Sequence, residues 1–184
     1  MLRFPKSYAD VVARLRVTCG FILVAAFAYF SDPTWRSLAI GLPVSVLGLV
    51  LRGWATGHLE KNIRLAESGP YAYVRNPLYL GTAMVAAGLA IASRRWLLAA
   101  LFAAVFVLIY LPAIGLEEQH LAKLFPAFEG YSQRVRALLP TFRAARGVGA
   151  FSWELYRRNR EYQAFLGFAI GALFLAAKTV YRLS

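Results

Sequence analysis

Gly69-Pro70-Tyr71-Ala72-Tyr73-Val74-Arg75-Asn76-Pro77-Leu78-Tyr79-Leu80-Gly81 joins a turn, a polar and aromatic cluster and the opening of an apolar run. Asn76-Pro77 reads as a helix start. Asn accepts from the orphan N–H groups of a first turn, and Pro at the first helical position gives up a donor that has no partner there. The apolar run continues to Ser93 and turns at Arg94-Arg95. A second run, Trp96 to Leu116, has no charge and stops at Glu117-Glu118. An antiparallel hairpin of the two runs brings the Gly69–Gly81 stretch and the acidic pair to one end.

Working outward, three more apolar runs approach the length needed to cross a bilayer. The first covers about Leu15 to Phe30, with Arg16 expected to lay its stem along the helix and its head in the interface. Ser31-Asp32-Pro33 then reads as a turn and not as a cleavage site, so a retained helix is expected. Another run spans Ser37 to His58 with Pro43 near its start and Arg52 as its only full charge. The last is Tyr162 to Val180. With 59% apolar and 16% charged residues, the expected fold is all-α: a polytopic membrane helix bundle of about five transmembrane helices, forming one domain over 1–184. Thr141 to Arg160, rich in Arg with Phe142, Phe151, Trp153 and Tyr156 interleaved, suits a segment lying in the interface.

The net charge of +12 does not point to nucleic acid, because the cations sit in the gaps between apolar runs and form no water-facing footprint. Membrane lipid headgroups are the simpler counter-charge. With the N-terminus in the cytoplasm, the inner segments 1–16, 52–77 and 117–162 hold 16 Lys and Arg against 5 outside, the expected bias for five spans. This orientation puts Gly69–Gly81 and Glu117-Glu118 on the cytoplasmic side.

Two adjacent carboxylates repel, and a helix C-terminus adds unfavourable potential, so Glu117-Glu118 requires a partner. A ligand cation and the nearby Lys and Arg are both open readings. Arg52 pairs with one of these glutamates or extends to the interface. Gly81, one turn into its helix, admits a ligand or a neighbouring helix. The lone Cys19 excludes an internal disulfide, and His58 and His120 make no metal-ligand pattern. Gly147-Val148-Gly149 lacks the third glycine of a dinucleotide fingerprint. Gly167 and Gly171 match a small-residue helix contact expected to pack within the chain.

The Gly69–Gly81 stretch, Glu117-Glu118 and the tail Leu121…Phe125-Pro126…Phe128…Tyr131…Arg134-Val135…Pro140 together resemble the isoprenylcysteine carboxyl methyltransferase and phospholipid N-methyltransferase superfamily of integral membrane enzymes. The resemblance covers about residues 40–140, leaving 141–184 as an interfacial segment and fifth helix. It implies an S-adenosyl-L-methionine-dependent methyltransferase with a lipophilic or lipid-anchored acceptor. It assigns Tyr73, Arg75, Asn76, Tyr79, Gly81, Glu117 and Glu118 to the cofactor, and Arg134 and Glu118 to catalysis. Asn76 stands where the family has His, which keeps a hydrogen-bonding group and removes a base. The cofactor's sulfonium suits carboxylates and tyrosine faces, and its carboxylate suits a helix N-terminus beside Arg75. A non-catalytic helix-packing subunit and a nicotinamide-dependent membrane reductase are the alternatives.

Overall fold

A computed structural model describes residues 6–141 and 149–181, with Tyr8 and Leu15 the only side chains described before Thr18. The expectations for Arg16, Phe142 and Gly147-Val148 lie outside the described residues. The chain forms α1 (Lys6–Phe30), α2 (Trp35–Thr56), a 3-10 turn (Gly69–Ala72), α3 (Pro77–Ser93) and α4 (Trp96–Leu124). Two short helices follow, α5 (Phe128–Arg134) and α6 (Trp153–Arg158), and α7 (Tyr162–Tyr181) ends the described chain. The fold is an all-helical bundle. Among the described residues three helices, α2, α4 and α7, are long and apolar enough to cross a membrane, while Thr18–Phe30 and Pro77–Ser93 are shorter apolar helices. At about 1.5 Å per residue, α3 reaches only about 25 Å. Outward-facing Phe21, Val24, Leu47, Val50, Leu108, Ile170 and Leu173 are all more than half exposed. Apolar surface on this scale belongs in lipid.

The seam of the bundle is α2 against α3, antiparallel and close. Gly41, Ser45 and Gly48 on α2 face Ala92, Gly88, Val85 and Gly81 on α3. A Cβ on Gly48 would stand 2.6 Å from the Gly81 carbonyl oxygen. Ser37 Oγ donates to the Ala92 carbonyl (2.9 Å) and Ser45 Oγ to that of Val85 (2.8 Å). Small residues let backbones approach, and buried hydroxyls then have carbonyls in reach. The expected α3–α4 hairpin forms as well: Arg94-Arg95 joins the two helices, and Tyr79 of α3 reaches Glu117 and Tyr110 of α4. The closer partner of α3 is nevertheless α2, through these small residues. The Gly167–Gly171 expectation is corrected. Added Cβ atoms there would meet nothing, and α7 touches the bundle through Leu175, which packs with Leu38 and Ala92.

Two further departures concern helix ends. The apolar run ends at Leu116, yet α4 continues to Leu124. Nothing between Leu116 and Leu124 breaks a helix. Pro126 does, forcing Phe125 into extended backbone (φ −125°, ψ 108°). Glu117 and Glu118 thus stand two turns inside a helix and escape the unfavourable C-terminal potential. Within α4, Phe106–Tyr110 is a π-helical turn closed by Leu111 N–H on the Phe106 carbonyl. Pro112 follows it, lacking a donor for the regular ladder, and widening the preceding turn accommodates the ring.

Candidate active site

The site is built at the end of the α2–α3 seam where α2 stops and α3 starts. After α2 the chain crosses through residues 57–76, and Gly69 (φ 58°) makes its left-handed corner over the His58 ring. Residues 73–76 then run beside the tail after α5. Arg75 N–H donates to the Arg136 carbonyl (2.9 Å), Asn76 N–H to that of Ala137 (3.1 Å), and Thr141 N–H to that of Tyr73 (2.8 Å). Beneath this pairing, buried Phe128, Tyr131 and Val135 pack with Leu65, Leu121 and Phe125. The apolar positions of the tail motif are thus the floor of the site.

Glu118, buried, accepts from Asn76 Nδ2 (2.9 Å) and from an Arg75 terminal nitrogen (3.3 Å), with Arg75 Nε 3.1 Å away. Arg75 also donates to the Ser132 carbonyl (2.7 Å), and Asn76 to that of Ala137 (3.2 Å). This network joins α3, α4 and the tail. Asn76 begins α3 as expected, but its side chain makes no capping bond; its amide is drawn away by Glu118. Arg75 is likewise engaged, so Lys61 is the cation on the cavity wall with no ion pair among the described residues.

Glu117, about 100° further round α4, is exposed and accepts from Tyr79 Oη (2.9 Å). Tyr79 meets Tyr110 edge-on, with ring centroids 6.1 Å apart, and Tyr110 stacks on Phe106 at 5.7 Å. The π-helical turn thereby places an aromatic pair against the one carboxylate of the acidic pair that faces open space.

A cavity of about 400 Å³ lies here, walled by Arg75, Asn76, Tyr79, Glu117 and Glu118 above Tyr131. Pockets for small-molecule ligands span roughly 300–1,000 Å³. A second cavity, about 570 Å³, adjoins it and reaches Gly20 and Phe21 of α1 and Tyr110 of α4. Leu59, Lys61, Leu78, Tyr79 and Glu117 line both. Buried Tyr131 donates to the Tyr71 carbonyl (2.7 Å). Burial first, then nearby carboxylate charge, pushes the phenols of Tyr71 and Tyr131 far up, so both stay neutral.

Three assigned residues stand apart. Tyr73 is exposed and off the cavity wall. Gly81 faces Gly48 and the Arg52 stem, serving helix contact. Arg134 is largely exposed and reaches Glu67 at 3.5 Å. The open question of Arg52 resolves on a residue the motif reading passed over. Its Nε donates to Glu161 Oε1 (2.6 Å), its other nitrogens to Glu161 Oε2 (3.0 Å) and Thr82 Oγ1 (2.6 Å). The signal was present: Glu161 is an isolated acid at the entrance to the last apolar run.

The phospholipid methyltransferase family matches residues 37–127. Over 146 residues the chain is 27% identical to the protein-S-isoprenylcysteine O-methyltransferase of Schizosaccharomyces pombe, covering 76% of this chain and 61% of that one. The chain belongs to this superfamily of membrane methyltransferases. It is also 31% identical over 166 residues to the nickel-cobalt-cadmium resistance protein NccN of Alcaligenes xylosoxydans xylosoxydans, covering 84% of this chain and 78% of that one. The cobalt-zinc-cadmium resistance protein CzcN of Cupriavidus metallidurans is 31% identical over 165 residues, with 84% and 76% covered. No solved structure matches significantly. The matched region of the methyltransferase family includes Arg75, Asn76, Tyr79, Glu117 and Glu118, and ends before Arg134 and Glu161. Among the described residues no cluster of three or more His, Cys, Asp or Glu is grouped to hold a metal ion.

Proposed function

We propose that the protein is a methyltransferase using S-adenosyl-L-methionine on a lipid-embedded or small hydrophobic acceptor, with isoprenylcysteine carboxyl O-methylation the nearest parallel. The observation that carries this reading is the wall common to the two cavities, where Tyr79 and Glu117 face both. The residues present fit the donor. Glu117 and the faces of Tyr79 and Tyr110 suit a cation, Leu65, Ala113 and Leu121 suit an apolar ring system, and Lys61 suits a carboxylate. When bound, the donor supplies a methyl group on a sulfonium centre.

The chain's own part is alignment and exclusion of water. Two reactants held in line across one wall gain most of the acceleration open to a simple displacement. Tyr79 orients the Glu117 carboxylate toward the cavities through its hydroxyl. For an amine or thiol acceptor, Glu117 is the carboxylate placed to take the proton; a carboxylate acceptor requires none. The second cavity's border on α1 gives a lipophilic acceptor a route from the bilayer. The Lys and Arg bias favours a cytoplasmic position for this end, with the N-terminus inside.

Thermal stabilisation of the purified protein by S-adenosylhomocysteine, together with transfer of radiolabelled methyl groups into membrane lipid extracts, is the expected result. Stabilisation by NADPH and not by S-adenosylhomocysteine would instead support a reductase, and no response to either would leave a helix-packing subunit. The two metal-resistance relatives favour a setting for the activity, growth under transition-metal stress. A deletion strain is expected to lose tolerance to nickel, cobalt or cadmium, restored by the intact gene and not by a Glu117→Gln copy.

A further inference from the structure

The opposite end of the α2–α3 seam holds a second polar concavity that the methyl-transfer reading does not use. The turn after α1 and the turn after α3 are joined there by Asp32 N–H on the Ser93 carbonyl (2.9 Å). Lys178, near the end of α7, donates to the carbonyls of Ala28 (2.8 Å) and Tyr29 (3.1 Å) and contacts Ser31 Oγ (3.3 Å). These partners are uncharged carbonyl and hydroxyl oxygens. Arg95 meets Asp32 through one nitrogen (3.2 Å) and stays half exposed. Arg94 is held in the left-handed region (φ 54°) and makes no ion pair among the described residues. A left-handed helix end ordinarily takes Gly or Asn; here it aims a cation.

Arg94, Arg95 and Lys178 converge on a cavity of about 750 Å³ whose only acidic lining residue, among the described residues, is Asp32. Tyr29, Trp96 and Tyr181 stand at its rim, each about four-fifths exposed. Aromatic side chains of this kind mark the headgroup region of a bilayer, and half-exposed, apolar Phe30 and Leu97 also border the concavity.

We propose that this concavity is a binding site for the phosphate headgroup of an anionic phospholipid, in the leaflet opposite the candidate active site. Arg94 and Arg95 ligate the phosphate oxygens, Lys178 adds charge from a third element, and the acyl chains lie along α1 and α4. The lipid would add a further tie between the two turns and the end of α7. The site is independent of the methyltransferase reading.

The test uses the full chain in neutral detergent with phosphatidylglycerol or phosphatidylcholine added to the micelles, read by thermal unfolding and by native mass spectrometry. Phosphatidylglycerol is expected to raise the Tm and remain bound, and phosphatidylcholine to do neither. Arg94→Gln with Arg95→Gln is expected to weaken retention by at least about tenfold, the loss of a charge-assisted contact. Arg157→Gln, which removes one exposed charge on α6 and so matches Arg94→Gln alone, should leave retention intact. Equal retention by the double variant, equal loss in Arg157→Gln, or equal stabilisation by soluble glycerol phosphate would each overturn the proposal. If loss of the Arg95–Asp32 pair unfolds the double variant, Arg94→Gln alone decides: it breaks no described ion pair, and unchanged retention would overturn the site.

Discussion

Glu117 and Glu118 are neighbours on one helix, yet they sit in opposite kinds of surroundings. Around Glu118 the polar groups are densely engaged: Arg75 and Asn76 converge on the carboxylate, and both also bind backbone carbonyls of the tail. Around Glu117 there is one hydroxyl, from Tyr79, and then open cavity. A closed network resists change because removing one member leaves a buried charge alone. An open carboxylate contributes little to folding and stays available to a ligand. The acidic pair is thus one strut and one reactive face, separated by the turn angle of the helix.

That division is tested most severely at the strut. Glu118→Ala strands the Arg75 guanidinium, which is largely buried, and should lower stability by about 3 kcal/mol, read as a depressed Tm without any ligand. A Tm within a degree of wild type would show the network to be dispensable. Glu117→Gln should do the reverse, leaving the ligand-free Tm nearly unchanged while weakening S-adenosyl-L-methionine by about tenfold, the scale of one charged contact, and S-adenosylhomocysteine, which lacks the sulfonium, by less. Titration calorimetry on the two variants side by side would sharpen the contrast or erase it.

Arg134→Ala is expected to change stability by less than about 0.5 kcal/mol, since its pair with Glu67 is long and solvent-screened. Methyl transfer by this variant should stay near wild type; a loss of more than tenfold at unchanged Tm would bring Arg134 back to the acceptor. The smallest effect belongs to His58, whose ring bonds Ser68 Oγ at 3.0 Å through Nδ1. Burial lowers its pKa from the usual 6.5. The folded state therefore holds fewer protons than the unfolded one as pH falls below that value. Its contribution is intact above about pH 6.5 and declines on acidification. His58→Gln should flatten the dependence of Tm on pH between 7 and 5, and a parallel profile in the variant would exclude His58 as the source.

The motif residues were legible one by one, but their pairing was not. Asn76-Pro77 announced a helix start correctly, because a fixed φ and a missing donor act locally. The same dipeptide did not reveal that the Asn76 amide serves Glu118, forty-two positions away. Arg52 illustrates the gap most clearly. A charge inside an apolar run demands a partner, so the need was visible, while Glu161 became that partner only when α7 returned to α2. Leu116 was an accurate edge for the apolar run and a poor one for the helix, since hydropathy reports solvent and backbone bonding follows the chain to Pro126.

Composition and the order of apolar runs were sufficient for an all-helical membrane bundle, because burial of backbone polar groups in lipid leaves a single-chain apolar segment few other forms. The three ordered motifs were sufficient for the family. Which helices touch, which glutamate is closed in and which is open, and where the two cavities meet depended on the tertiary structure. Those outcomes rest on close approach between residues far apart in the chain, and on the rotation of one helix against another, quantities that spacing along a sequence does not encode.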